Sequence, residues 1–198
     1  MNVFLDCGTN IGQGFDRIIT QYPTLNYPDL IVHMFEPLPD AYEILKTKYT
    51  FAIVHQCAVW NEDTTRILNI EDAKMPMCGN RMLGHTTNIL QDNFNMPKHV
   101  RNSDMAEWPP KHSYITKCID FSKFIKNNFQ HNDNIILKLD IEGSEFEVLD
   151  KMILDNTLAY IKHMHIEWHP HMRKETCDIH KYETIFKNLN INLLTPKI

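Results

Sequence analysis

Short apolar runs alternate with stretches of helical periodicity along most of the chain. Residues 3–5 form an apolar run ending at Asp6 and a glycine, after which Ile11, Phe15, Ile18 and Ile19 recur at helical spacing. The prediction is strand, turn, helix. Residues 30–35 are a second apolar run that ends at Glu36 and Pro37, and Asp40 with Glu43 three residues on predicts a capped helix start. Residues 51–60 predict a third strand and 64–70 a fourth, and the polar Asn61, Glu62 and Asp63 between them predict a hairpin return.

From Glu71 to Ser113 this pattern dissolves into Met, Pro, Asn, His and Gly, which predicts an insertion or acceptor-binding lid. Alternation then resumes. Residues 114–119 predict a strand, 121–129 a helix, and 135–141 an apolar run of the kind that fills buried parallel strands. Ser144 and Glu147 read as a capping box for a helix carrying Phe146, Leu149, Ile153 and Leu154. Residues 161–169 predict a further strand, 175–189 a final helix, and 191–194 a last apolar run. Such alternation predicts a single α/β domain over residues 1–198: a doubly wound, mostly parallel, Rossmann-like sheet with helices on both faces. Ligands of such sheets bind beyond the carboxyl ends of the strands, so the residues just after each strand carry the chemistry.

Composition narrows the function. The 198 residues are 43% hydrophobic and 23% charged, enough to bury one continuous core. A net charge of −5, without a local run of Lys or Arg, argues against nucleic acid as a partner. No apolar stretch reaches the roughly 18–20 residues that span a bilayer. With no basic, cleavable leader at the start, the expectation is a cytoplasmic protein. The five cysteines are scattered and contain no C-x-x-C pair, as expected of reduced packing residues. Met1 and Asn2 lead straight into an apolar run, as in a domain belonging to a larger multidomain chain.

The first turn, D-C-G-T-N-I-G from Asp6 to Gly12, lets the backbone bend tightly and approach a ligand at the start of a helix. Gly8, Gly12 and Gly14 do not have the spacing of the dinucleotide fingerprint. A carboxylate at this turn also suits a cofactor with an ammonium and a sulfonium better than an anionic pyrophosphate. Glu36, 24 residues after Gly12, stands where an acid accepts hydrogen bonds from ribose hydroxyls. The cofactor residues expected here are Asp6, Gly8, Thr9, Asn10, Gly12, Glu36, Pro37, Ala58 and Asp140.

Four segments, L-D-C-G-T-N-I-G, F-E-P, L-K-L-D-I-E-G-S-E-F-E-V-L-D and H-I-E-W-H, resemble the FkbM family of methyltransferases over nearly the whole chain. The third, with Asp140, Glu142, Gly143 and Glu145, is the most distinctive. The resemblance implies a class I fold, S-adenosyl-L-methionine as cofactor, and O-methylation of a hydroxyl on a sugar or glycan. The chain departs from the family in its missing N-terminal helix, its long 71–113 stretch and its short C-terminal end.

Asp140 and Glu142 share a face at period two near a strand's carboxyl end, which points to cofactor binding or to orientation of the acceptor. Glu145 and Glu147 are expected only to charge the first turn of the next helix. His163, His165, Glu167, His169 and His171 alternate along the predicted strand. A metal bound among them is not favoured, because i and i+4 on a straight strand stand about 13 Å apart. His169 is the expected general base, Glu142 the second choice and Glu167 an orienting partner. His85, His99 and His112 are expected to be solvated. The competing readings are an NAD-dependent oxidoreductase, which the glycine spacing disfavours, and a non-catalytic methyltransferase-like binding module.

Overall fold

A computed structural model describes residues 1–71, 85–86, 112–170 and 177–195. Its ten strands and five α-helices run in the order β1 (Asn2–Cys7), α1 (Gln13–Gln21), β2 (Leu30–Phe35), α2 (Pro39–Lys48), β3 (Ile53–His55), β4 (Ala58–Trp60), β5 (Thr64–Glu71), β6 (His85–Thr86), β7 (His112–Asp120), α3 (Phe121–Asn128), β8 (Asn134–Leu139), α4 (Glu145–Leu154), β9 (Ile161–Ile166), α5 (Ile179–Asn188) and β10 (Asn192–Leu193).

The main sheet has the order β10-β9-β8-β1-β2-β3, and every pairing in it is parallel. Parallel neighbours need a crossover, and α1, α2, α4 and α5 supply one each. Alternation along β1 and β8 sorts the core onto two faces. Val3, Leu5, Cys7, Ile135, Leu137 and Leu139 pack with residues of α3, α4 and α5. Phe4 and Ile136 point the other way, among Phe15 and Ile18 of α1 and Leu45 of α2. The result is the predicted doubly wound, Rossmann-like layering. From β1 the chain builds outward to β2 and β3, then returns to lay β8 on the other side of β1. That reversal opens a crevice between the carboxyl ends of β1 and β8.

Several local expectations are corrected. The run 51–60 is two strands, interrupted at Gln56 and Cys57. No hairpin joins β4 to β5, because β7 lies between them, parallel to β4 and antiparallel to β5. With β6, these strands make a separate four-stranded sheet. A polar link of three residues marks the end of a strand but does not identify the strand's neighbour. Asp40 is not the cap of α2; Leu38 holds that position and Asp40 lies in the first turn. Ser144 does occupy the cap of α4 but makes no side-chain cap bond.

The strand expected over 161–169 ends at Ile166, so Glu167 and His169 lie beyond it. The final helix begins at Ile179, capped by Asp178, whose carboxylate accepts from Lys181 N. Of the 71–113 stretch only the strand residues Glu71, His85, Thr86, His112 and Ser113 are described. The proposed lid, His99 and His171 otherwise fall outside the described residues. Cys7, Cys57 and Cys118 are buried free thiols, as expected of packing residues. Among the described residues no helix is long and apolar enough to cross a membrane.

Phe4 sits at the centre of β1, fully buried, with its ring edge-on to Phe15 at 5.0 Å. Phe4→Ala should therefore cost about 3–5 kcal/mol in urea unfolding. A loss below about 1 kcal/mol would show that the face beneath α1 is not tightly packed.

Candidate active site

The first βα turn is built by backbone approach. Gly8 and Asn10 both have positive φ, 73° and 52°. A Cβ on Gly8 would stand 1.8 Å from the Asp140 carbonyl oxygen. Only glycine lets the end of β1 pass so close to the end of β8. Gly8 N and Thr9 N donate to Phe35 O at 3.1 and 3.2 Å, and the buried Thr9 hydroxyl donates to Asp6 O at 2.8 Å. Gly12, also at positive φ, caps α1 under the Tyr49 hydroxyl, which lies 3.0 Å from Gly12 O and 2.8 Å from Asp16 Oδ2.

Glu36 follows β2 and is buried. Its Oε2 accepts from Asn10 N at 2.7 Å and its Oε1 from Leu38 N at 2.9 Å, so one carboxylate ties the first turn to the start of α2. Each oxygen keeps a lone pair for a further donor. Burial raises this carboxyl to about 7, against the two backbone bonds that favour its charged form. Pro37 is buried beside it. Ala58 packs in a small cluster with Leu38 and Ala41, at the base of α2.

Asp6 and Lys138 are register partners on β1 and β8, and both side chains point to the α1 face. Asp6 has no exposure and Lys138 only 3%. The Lys138 ammonium lies 3.1 Å from Asp6 Oδ1 and 3.2 Å from Asp140 Oδ2, and donates to Gly8 O at 3.0 Å. Burial alone would lower this lysine, but the carboxylates of Asp6 and Asp140 more than offset it, and the ammonium stays charged. Asp6 therefore already has a cationic partner, a feature missed in assigning its charge to a ligand. Gly14 belongs to the same arrangement, since a Cβ there would stand 2.2 Å from Lys138 Cε. The visible signal was a single lysine in an otherwise apolar buried strand.

Beyond β8, Asp140, Glu142 and His169 each present one oxygen or nitrogen, all within 4.8 Å of one another. Glu142 holds a left-handed backbone conformation, φ 54°, which is costly for a residue with a side chain. Glu145 is fully buried and does far more than charge a helix terminus. Its carboxylate accepts from Ile141 N at 2.9 Å and Gly143 N at 3.0 Å, and lies 3.0 Å from His169 Nδ1. It replaces Ser144 as the group that closes the turn. His169 Nε2 lies 3.5 Å from Glu142 Oε2 and 3.9 Å from Glu167 Oε1.

Burial raises Glu142 to about 7, with His169 opposing and neighbouring carboxylates adding to the rise. Burial works against the imidazolium of His169, but the hydrogen bond and charge of Glu145, with Glu142 and Asp140, lift it to about 9. His163 and His165 lie elsewhere, against Asn192 and the Leu194 carbonyl. His85 and His112 lie in the strands of the second sheet.

The site thus gathers a glycine turn, a buried acid after β2 and an acid–imidazole cluster after β8 and β9, all at the carboxyl end of the parallel sheet. The family model described as Methyltransferase FkbM domain matches residues 6–191. The chain belongs to the FkbM methyltransferase family, and the protein is a methyltransferase of α/β fold. No curated protein and no solved structure matches it.

Removing Lys138 alone should leave Asp6 buried and uncompensated, and Lys138→Met should cost about 3–5 kcal/mol. Adding Asp6→Asn should restore more than half of that loss in chemical denaturation. If the double variant is as unstable as the sum of the singles, the two residues are not coupled.

Proposed function

We propose that this protein is an S-adenosyl-L-methionine-dependent O-methyltransferase that acts on a hydroxyl of a sugar or glycan. The observation that carries the reading is Glu36: a buried carboxylate after β2, bonded to the glycine turn through Asn10 N, with acceptor capacity left on both oxygens. An adenosine ribose laid across the turn donates both hydroxyls to it. Membership of the FkbM family supports methyl transfer, and the sugar acceptor rests on the sequence resemblance.

The cofactor supplies the reactive methyl when bound. The chain's own residues position two substrates and handle one proton. Gly8, Thr9, Asn10 and Gly12 present backbone to the cofactor, and Glu36 with Pro37 and Ala58 frames its nucleoside end. Asp6 acts mainly through Lys138, which holds Asp140 at the crevice. Asp140 faces the cofactor's amino acid end or the acceptor. The acceptor hydroxyl lies at the Glu142–His169 pair, which takes up its proton as a unit, with Glu145 fixing the ring and Glu167 at its edge. The acceptor's identity is set outside this cluster, and the 71–113 stretch is the segment we assign to it.

Three outcomes follow. Glu36→Ala should weaken S-adenosylhomocysteine binding by roughly 10- to 150-fold, the equivalent of about 1.5–3 kcal/mol for charge-assisted bonds. Unchanged calorimetric affinity would remove Glu36 from the site.

Affinity should also depend on pH. A carboxyl raised from 4.5 to about 7 contributes stability below pH 4.5 that is lost as the pH rises through 7. Ribose hydroxyls favour its ionised form, so binding should tighten about tenfold between pH 6 and 8 and then level off. A flat profile would contradict this.

Glu142→Gln and His169→Gln should each lower methyl transfer to glycoside acceptors about 100-fold or more, with S-adenosylhomocysteine affinity nearly unchanged. Full activity in both would move the proton acceptor elsewhere.

A further inference from the structure

The acid–imidazole cluster after β8 and β9 has the construction of a cation site. His169 Nδ1 lies 3.0 Å from the fully buried carboxylate of Glu145. A carboxylate in that position accepts, so Nδ1 carries the hydrogen and Nε2 is the nitrogen turned toward Glu142 and Glu167. A buried acceptor behind the far ring nitrogen is the arrangement that fixes tautomer and orientation in metal-binding histidines. Nε2 stands 3.5 Å from Glu142 Oε2, and Asp140 completes a group of three donors within 4.8 Å. An imidazole lone pair and carboxylate oxygens face one another favourably only across positive charge, either a proton or a metal ion. The balance of charge is also unequal. Asp140, Glu142, Glu145 and Glu167 converge on His169, while Lys138 is shared with Asp6.

We propose that Asp140, Glu142 and His169 bind one divalent cation of the Mn²⁺ or Zn²⁺ class, with Glu145 as the residue that positions the His169 ring. The inference rests on the reading of this crevice as the acceptor end of the site; with the ion bound, its charge makes the acceptor hydroxyl more acidic and the proton passes to water, in place of proton uptake by Glu142 and His169. Ligand atoms about 2.1 Å from a tetrahedral ion stand about 3.4 Å apart, close to the His169–Glu142 separation. Asp140 and Glu142 are partly open to solvent, so rotation of either side chain closes the remaining distance. Two carboxylates and one imidazole suit such borderline and hard ions and not soft ones. Three protein ligands leave coordination positions open, where a hydroxyl oxygen of the acceptor can bind. Alternate residues along one strand stand too far apart to surround an ion, whereas these ligands come from two segments that meet beyond the sheet, after β8 and β9.

The test is direct binding by the whole chain after treatment with chelator, using MnCl₂ followed by electron paramagnetic resonance and ZnCl₂ followed by calorimetry. One ion per chain should bind at this site, and Asp140→Asn, Glu142→Gln and His169→Gln should each weaken it at least tenfold. Glu145→Gln should weaken it about 10- to 100-fold through the ring it holds, and His163→Gln should leave it unchanged. No binding of either ion to the wild-type chain would overturn the proposal. So would wild-type affinity in the ligand variants, including Glu142→Gln, which leaves the Asp6–Lys138–Asp140 pairing intact and is therefore the substitution least disruptive to folding. Titrating S-adenosylhomocysteine into the same samples separates the two readings. Metal binding without cofactor binding sinks the proposed function and keeps the ion, and the reverse result sinks the ion alone.

Discussion

The buried ammonium of Lys138 is the interaction on which the active-site edge depends. It joins β1 and β8 at the point where the chain reverses its direction across the sheet, and it touches Asp6, Asp140 and the Gly8 carbonyl together. Burying a lysine is costly unless carboxylates accompany it, and here two do. The consequence is geometric. Gly8 must be glycine because the Asp140 carbonyl lies against it, and Gly14 leaves room for the end of the lysine side chain, which a Cβ there would displace. The glycine turn after β1 and the acid that follows β8 are therefore held by one charge.

Glu145 does the equivalent work on the other side of the crevice. A single buried carboxylate satisfies the backbone of the Ile141–Gly143 turn and fixes the ring of His169. The left-handed backbone of Glu142 is held inside that turn, and its side chain is thereby directed toward the imidazole. Strain at this residue and buried charge beneath it place two ionisable groups together where neither would settle alone.

How legible this was in the sequence depended on the range of each interaction. The strand–turn–helix at Asp6 to Gly12 and the acid after β2 are local patterns, and each appears in the structure where its residues predicted; the apolar run 135–141 does form β8, but the strand stops at Leu139, so Asp140 and Glu142 lie in the turn beyond it and not on one strand face. Neighbours in space were harder. Asn61, Glu62 and Asp63 announced a strand end, but β7, some fifty residues away in the chain, took the place beside β4 that β5 was expected to fill. The Asp6–Lys138 pair is equally non-local, and only the lysine inside an apolar strand hinted at it. Glu145 was read as a surface helix charge because its sequence position fits that role, and burial alone distinguishes the two. The alternating histidines misled in the opposite sense. They looked like one ionisable face, but β9 stops at Ile166 and, among the described histidines, only His169 turns into the cluster.

The central claim is that the carboxyl ends of β1 and β2 form the cofactor site, with Glu36 at its centre. Hydrogen–deuterium exchange with and without S-adenosylhomocysteine tests it most directly, because a bound ligand slows opening of the segments it covers. Bound ligand should slow exchange in residues 8–13 and 36–38, with little change in β4, β5 and β7 of the second sheet. Absence of any protection at saturating ligand, or protection confined to the second sheet, would contradict it.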